Sequence, residues 1–241
     1  MPDCHRLPLI TLLALCCCSV LPAEEPGQQA ALKTEIATTV TLEYQLFLPE
    51  GYESQDKWPL LLFLHGSGER GSDVEKVKVH GPPKLVGEGK PLPFIVLSPQ
   101  CPAFQRWEVT QLDALLKHVE QTYKVDPDRI CVTGLSLGGY GTWQLAANFP
   151  DRFAAIVPIC GGGEKECAKQ IAHIPTWVFH GGNDGAVPLR ASAEMVKALE
   201  AAGGHPKFTI YPVADHDSWT ETYANPELYE WLLQQKRQPR E

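Results

Sequence analysis

The stretch RICVTGLSLGGYGTW, residues 129–143, is the most informative part of this chain about its fold. Residues 129–133 form a short, mostly apolar run typical of a buried strand, and a helix is predicted over residues 137–149. The residues that join them, GLSLG from Gly134, fit the pattern G-x-S-x-G. Two glycines let the chain turn sharply, so the side chain of Ser136 projects from the top of the sheet beside the N-terminus of the helix. This context predicts that Ser136 is a nucleophile.

Strands and helices alternate along the rest of the chain. Predicted strands cover 38–48, Trp58–Leu64, 94–98, 129–133, 154–159, 176–180 and Lys207–Tyr211. Predicted helices cover 109–123, 137–149, 164–172, 190–202 and 226–236. This alternation predicts an α/β fold with a mostly parallel central sheet, flanking helices and functional loops at the carboxyl ends of the strands. The irregular segment 66–93 is longer than a usual loop, which indicates a functional loop. Residues 24–241 show no repeat, low-complexity tract or linker and are predicted to form a single domain.

Residues 1–23 have the pattern of a secretory signal peptide. Arg6 precedes an apolar run over 7–21, and the small residue Ala23 precedes two glutamates. The run is shorter than the roughly 20 residues of a membrane helix, so a secreted or periplasmic protein without stable membrane insertion is predicted. The cysteines at 16–18 offer a lipoprotein anchor as the alternative, and the lack of small residues before them makes it the weaker interpretation.

The composition limits the partners and the metal chemistry. The net charge of −8 leaves no basic excess for binding nucleic acid. Four cysteines follow the signal peptide, namely Cys101, Cys131, Cys160 and Cys167, and their spacing fits no zinc pattern. Neither a metal nor a cofactor is predicted. Export permits disulfides in any pairing, although core thiols with at most one bridge are the simpler prediction.

A serine hydroxyl needs an adjacent base, and in a turn of this type the acid and then the histidine follow the serine along the chain. Asp184 lies in a turn-rich loop directly after one predicted strand, and His216 follows the last predicted strand. Both therefore lie at the carboxyl edge of the sheet, with Asp184 as the orienting acid and His216 as the general base. Asp215 and Asp217 compete for the role of the acid.

The developing oxyanion needs two aimed backbone N–H donors. One is predicted at Leu137, directly after the nucleophile, and the other in the segment HGSG that follows the strand Trp58–Leu64. Ser67 is the predicted second donor, and Gly68 is the alternative. The segment lacks the Lys-Ser/Thr pair of a P-loop, so phosphate binding is not predicted.

Six motifs together resemble one family over most of the residues that follow the signal peptide. They are LHGSGERG from Leu64, SPQCP from Ser98, RICVTGLSLGGYGTW from Arg129, DRFAAIVPICGGG from Asp151, VFHGGNDGAVP from Val178 and HDSWTETYANPELYEWLL from His216. They are similar to exported esterases of the α/β-hydrolase superfamily, which are dienelactone-hydrolase-like, carbohydrate-esterase-like and related to the catalytic domains of prolyl oligopeptidases. The resemblance implies an α/β-hydrolase fold, the triad Ser136, Asp184 and His216, and a substrate-wall role for Trp107 and Trp219. For both tryptophans, a buried structural role is the alternative.

The connection over residues 160–175 is too short for a large cap domain, so we expect an open site. Such a site suits short-acyl esters or esters linked to a polysaccharide. The sequence therefore predicts a carboxylesterase-type serine hydrolase that acts through an acyl-enzyme on Ser136. The alternatives are a serine peptidase of the prolyl-oligopeptidase type and a non-catalytic homologue that binds glycans.

Overall fold

The computed structural model describes residues 39–237, and the predicted signal peptide lies outside them. The strands are β1 (Tyr44–Phe47), β2 (Trp58–Leu64), β3 (Ile95–Pro99), β4 (Val125–Leu135), β5 (Ala155–Ile159), β6 (Trp177–Gly181) and β7 (Lys207–Tyr211). The α-helices are α1 (Gly81–Gly87), α2 (Val109–Thr122), α3 (Leu137–Asn148), α4 (Ala168–Ile171), α5 (Arg190–Ala201), α6 (Trp219–Ala224) and α7 (Pro226–Gln234). Short 3-10 helices cover Tyr52–Ser54, Val74–Val79 and Lys165–Cys167.

All seven strands belong to one sheet, in the order β1-β3-β2-β4-β5-β6-β7. The edge strand β1 runs antiparallel to β3, and every other neighbouring pair is parallel. Because β2 is covered on both faces, all seven of its residues are buried, as its continuous apolar run predicts. The parallel arrangement brings the loops after β2, β4, β6 and β7 to one edge of the sheet.

Two apolar layers cover the two faces of the sheet. Alternate residues of β2 enter different layers, with Leu62 in one and Phe63 in the other. The first layer contains apolar residues of α2, α3, α4 and α5, and the second contains those of α6 and α7. The predicted α/β-hydrolase architecture, a mainly parallel sheet flanked by helices, is confirmed.

Several predicted elements differ from the structure. The segment 66–93 is not wholly irregular, because it contains the 3-10 helix Val74–Val79 and α1. Pro82 and Pro83 lie in the first turn of α1, where a missing N–H costs no helical hydrogen bond. The predicted helix over 164–172 is a 3-10 turn followed by the single turn α4, so no large cap separates β5 from β6. Within residues 39–237, none of the helices has the length and apolar character needed to cross a membrane.

Candidate active site

The predicted nucleophile lies at the sharp turn between β4 and α3. Ser136 has φ 53° and ψ −114°, a conformation that residues with a side chain rarely adopt. Its N–H donates to the carbonyl of Ile159 at 3.0 Å, which fixes the turn against β5. A Cβ on Gly134 would lie 2.8 Å from the carbonyl oxygen of Leu64, and one on Gly138 would overlap the same oxygen. Gly138 is therefore required by the close approach of β2. Gly134 is required by β2 and, more closely, by the carbonyl oxygen of Gly138, which the added Cβ would overlap.

The structure brings Ser136, Asp184 and His216 together. His216 Nε2 lies 2.9 Å from Ser136 Oγ, and His216 Nδ1 lies 2.7 Å from Asp184 Oδ2. Asp184 lies in the loop after β6 and His216 in the loop after β7. A hydrogen bond joins the two loops, because the N–H of Asn183 donates to the carbonyl of Ala214 at 2.9 Å. Residues separated by up to 80 positions in sequence thus form one hydrogen-bonded chain.

The hydrogen-bond partners fix the state of the His216 ring. An ionised carboxylate only accepts hydrogen bonds, so Nδ1 of His216 carries the hydrogen that it donates to Asp184. In the neutral ring, Nε2 then has a lone pair directed at the hydroxyl of Ser136. This arrangement can accept the proton of Ser136 and stabilise the imidazolium that results.

The carboxylate of Asp184 is held ionised by its donors. Its side chain is fully buried, and burial acts to raise the pKa. Hydrogen bonds from His216 and from the amides of Val187 and Ala186 outweigh that effect and keep the pKa of Asp184 below its ordinary value of 3.8. Both amides reach Oδ1, at 2.8 Å and 2.9 Å, which leaves Oδ2 for His216.

A second histidine, His180, contacts Asp184, and the sequence did not predict this contact. His180 is fully buried, and its Nε2 lies 3.0 Å from the carbonyl of Val187 and 3.2 Å from Asp184 Oδ2. Both neighbours only accept, so Nε2 carries a hydrogen. Its Nδ1 contacts Ser192 Oγ at 2.7 Å. His180 therefore braces the turn that contains Asp184.

The HGSG segment is held in shape by its own histidine. His65 Nε2 accepts the N–H of Cys101 at 3.0 Å, so the hydrogen of the neutral ring is on Nδ1, which donates to the carbonyl of Gly66 at 2.7 Å. Burial lowers the pKa of His65 below its ordinary value of 6.5, which favours this neutral form. In addition, Arg70 Nε donates to the carbonyl of Ser67 at 3.1 Å.

These contacts orient the predicted oxyanion donors. The carbonyl of Gly66 and the N–H of Ser67 belong to one planar trans peptide and point in opposite directions. Since His65 holds the carbonyl, the N–H of Ser67 faces away from His65. The N–H of Leu137 belongs to the first residue of α3 and has no intrahelical acceptor.

The two tryptophans occupy different environments. Trp107 is only 5% exposed, packs edge-on against His65 and donates to the carbonyl of His65 at 3.2 Å. This is the placement of a core residue that supports the loop, and it leaves almost no surface for a substrate wall. Trp219 is half-buried, and its ring centroid lies 5.3 Å from that of His216 in an edge-on contact.

The four cysteines after the signal peptide are free thiols, and Cys101, Cys131 and Cys160 are buried. Cys160 lies closest to the triad, and burial raises the pKa of its thiol to about 12. Among residues 39–237, the possible metal ligands that cluster are Cys160, Asp184 and His216, with ligand atoms within 4.8 Å of one another. Of these groups, Asp184 Oδ2 and His216 Nδ1 are joined to each other by the hydrogen bond described above.

Comparison with known proteins agrees with this geometry. The model of the dienelactone hydrolase family matches residues 102–228, more than half of the chain. Ser136, Asp184 and His216 all lie inside that match, whereas Ser67 precedes it.

Three similar proteins illustrate the range of the relatives. A protein named as a feruloyl esterase C from Aspergillus terreus is 26% identical over 204 residues, covering 82% of this chain and 75% of that protein. The crystal structure of a thermostable esterase is 36% identical with a TM-score of 0.74, and the alignment covers 83% of this chain but only 60% of that one. An acylaminoacyl peptidase of Pyrococcus horikoshii is 16% identical with a TM-score of 0.63, covering 86% of this chain and 41% of that one, a likeness of fold alone.

Proposed function

Because the chain belongs to the dienelactone hydrolase family and is a hydrolase of the carboxylesterase type, we propose that it cleaves carboxylic esters through an acyl-enzyme on Ser136. The observation that carries this proposal is the hydrogen-bonded chain from Ser136 Oγ through His216 to Asp184, at 2.9 Å and 2.7 Å. This chain supplies a base for the serine and an acid that orients the base.

The reaction follows from the proton positions. His216 Nε2 accepts the proton of Ser136 as Oγ attacks the ester carbonyl, and the N–H groups of Ser67 and Leu137 stabilise the negative charge on the carbonyl oxygen. The imidazolium then gives its proton to the departing alcohol, which leaves an acyl group on Ser136. A water molecule repeats the sequence, with His216 as its base, and releases the carboxylic acid and the free serine.

The substrates we propose are short-acyl esters or esters linked to a polysaccharide. The absence of a large cap between β5 and β6 supports an open site. Two exposed aromatic side chains, Phe104 after β3 and Tyr140 one turn after Ser136, offer flat surfaces at this edge of the sheet. Phe104 is 97% exposed and has φ 60°, a strained conformation of the kind that concentrates at functional sites. The relative named as a feruloyl esterase agrees with an ester of this class.

We further propose that the protein is exported, with residues 1–23 as its cleaved signal peptide. The apolar run over 7–21 and Ala23 support this. N-terminal sequencing of the protein secreted by its host tests it, because a mature N-terminus at residue 24 is expected and an intact N-terminus contradicts it.

The function is tested by steady-state hydrolysis of p-nitrophenyl acetate and methyl ferulate. Ser136→Ala is expected to lower the rate by about 10⁴ to 10⁶. Ser54→Ala is the matched control, because Ser54 is exposed in the 3-10 helix that precedes β2. Equal rates for the two variants contradict the proposal. Hydrolysis of peptide p-nitroanilides in place of both esters makes the chain a peptidase, and no hydrolysis of either class favours a glycan-binding homologue.

A further inference from the structure

We propose that Glu69 is a positioning residue that determines which N–H of the HGSG loop is left to face the substrate. The inference rests on the proposed ester hydrolysis and adds a residue to it. Glu69 follows the loop directly and is largely buried, with 9% of its surface exposed. A carboxylate in such a place needs a specific donor, because burying a charge without one is costly.

The donor is the backbone of the loop itself. Glu69 Oε2 accepts the N–H of Gly66 at 2.9 Å. A Cβ on Gly66 would lie 3.1 Å from the same carboxylate oxygen and 2.7 Å from Leu135 Cδ1, so the absence of a side chain at residue 66 allows the carboxylate to approach. Because the N–H of Gly66 donates to Glu69, it is not available to donate to the oxyanion of the substrate.

The hydrogen bond between Glu69 and Gly66 fixes the orientation of the whole peptide group between His65 and Gly66. The N–H of Gly66 shares its plane with the carbonyl of His65, which accepts the indole N–H of Trp107 at 3.2 Å. Side chains therefore hold this peptide on both sides. The next peptide is held by the hydrogen bond from His65 Nδ1 to the carbonyl of Gly66, which directs the N–H of Ser67 the opposite way. Glu69 and His65 thus fix two successive peptides, and Ser67 supplies the free donor.

Glu69 is anchored from the opposite side as well. The buried Gln100 side chain donates to the carbonyl of Glu69 at 2.7 Å and to that of Cys101 at 3.0 Å. Glu69 Oε1 lies 3.7 Å from His80 Nε2, and Oε2 lies 3.9 Å from His65 Nδ1, both too far for a hydrogen bond. The short contact to Gly66 is therefore the one that a substitution at residue 69 removes.

The accepted hydrogen bond, and not the negative charge, is the contribution we assign to Glu69. A negative charge beside this loop opposes the negative charge that develops on the substrate, whereas an acceptor oxygen for Gly66 is needed in every state. Gln offers the same acceptor at the same length without the charge. Leu offers neither, and Asp retracts the acceptor by one methylene.

The test compares E69Q, E69L and E69D for kcat and KM on p-nitrophenyl acetate. We expect E69Q to stay within about threefold of the wild-type kcat, and E69L to lose about tenfold to hundredfold in kcat with KM within about twofold, because the transition state loses an aimed donor. E88Q is the matched control, since Glu88 is an exposed residue at the end of α1. A wild-type kcat in E69L, or an E69Q variant as impaired as E69L, overturns the proposal.

Two further measurements distinguish a failure of the role of Glu69 from a loss of folding and from a failure of the proposed function. Circular dichroism establishes whether E69L is folded. If it is not, the kcat of E69D replaces that of E69L as the test. An approximately tenfold lower kcat in E69D supports the proposal, and a wild-type kcat overturns it. Ser136→Ala is measured beside them. If Ser136→Ala keeps full activity, the proposed function fails; if it is inactive while E69L equals the wild type, only the role of Glu69 fails.

Discussion

Asp184 Oδ2 lies 2.7 Å from His216 Nδ1, whereas the two acidic residues adjacent to His216 in sequence bond to local groups. Asp215 Oδ1 accepts the N–H of Asp217 at 3.2 Å, and Asp217 accepts the N–H and the hydroxyl of Thr220 at 3.0 Å and 2.9 Å. Of the three candidate acids, only Asp184 has a carboxylate that reaches the ring of His216. Proximity in sequence therefore does not determine which acid pairs with His216. The meeting of two loops at the edge of the sheet determines it.

Replacing Asp184 by Asn is expected to lower kcat by about 10⁴, because the amide favours the wrong tautomer of His216. The matched variants Asp215→Asn and Asp217→Asn are expected to stay within about threefold of the wild type. Steady-state kinetics on p-nitrophenyl acetate measures all three. A large loss in either control together with a small loss in Asp184→Asn would reassign the acid.

Stability is expected to fall as the pH drops below the ordinary pKa of histidine, partly through His65. Burial lowers the pKa of His65 in the folded chain below 6.5, so the unfolded chain binds the proton more readily. The contribution of the neutral ring is complete above pH 6.5 and is lost as the pH falls toward the lowered pKa.

Urea unfolding of the wild type and of His65→Asn at about pH 7.5 and about pH 5 measures this contribution, worth about 1.4 kcal/mol for each unit by which the pKa is lowered. The amide of Asn keeps a donor for Gly66 and does not titrate. We expect the free energy of unfolding to change less with pH in the variant. An identical pH dependence in both proteins would show that His65 does not contribute to the pH dependence of stability.

Gly138→Ala is expected to destabilise the chain by about 1–3 kcal/mol or more, because the added Cβ overlaps the carbonyl oxygen of Leu64. Gly87→Ala is the control, since nothing lies within 4 Å of a Cβ at that position at the end of α1. It is expected to leave stability unchanged or slightly higher. Urea denaturation compares the two, and equal midpoints would contradict the close approach of α3 and β2.

Trp219→Ala is expected to lower kcat/KM by about threefold to tenfold, the equivalent of one lost aromatic contact of about 0.5–1.5 kcal/mol. Its ring makes T-shaped contacts with His216 and with His80, at centroid distances of 5.3 Å and 5.4 Å. Trp219→Phe keeps an aromatic ring there and is expected to recover most of the activity. Should Trp219→Ala match the wild type with every ester, the contact has no part in catalysis.

The sequence predicts those features that depend on local pattern. The structure has β2 at Trp58–Leu64, the bounds that its apolar run predicts, and β7 at Lys207–Tyr211, the bounds predicted from the alternation of strands and helices. The chain order of serine, acid and histidine leads to the three residues that the structure joins by hydrogen bonds. For the two strands, one stretch of chain contains the whole signal. For the triad, the motif around Ser136 and the chain order of the acid and the histidine after their strands supply the signal.

The features that sequence alone missed depend on distant contacts. The tautomer of His65 is set by the N–H of Cys101, 36 positions away, and no local sequence pattern predicts that contact. For Trp107 the sequence left a substrate wall and a buried structural role open, and only its packing against His65, a contact over a similar distance, distinguishes them. Helix α6, at Trp219–Ala224, is too short to show a helical period.

Mass spectrometry of the acyl-enzyme shows whether Ser136 is the residue that carries the acyl group. The wild-type protein, mixed with a p-nitrophenyl ester and quenched in acid within the first turnovers, should have one acyl group per chain on the peptide that contains Ser136. No such adduct is expected in Ser136→Ala, and its formation is expected to be greatly slowed in His216→Ala, whose serine lacks its base. An acyl group on another residue, or ester turnover at the wild-type rate in Ser136→Ala, would contradict it.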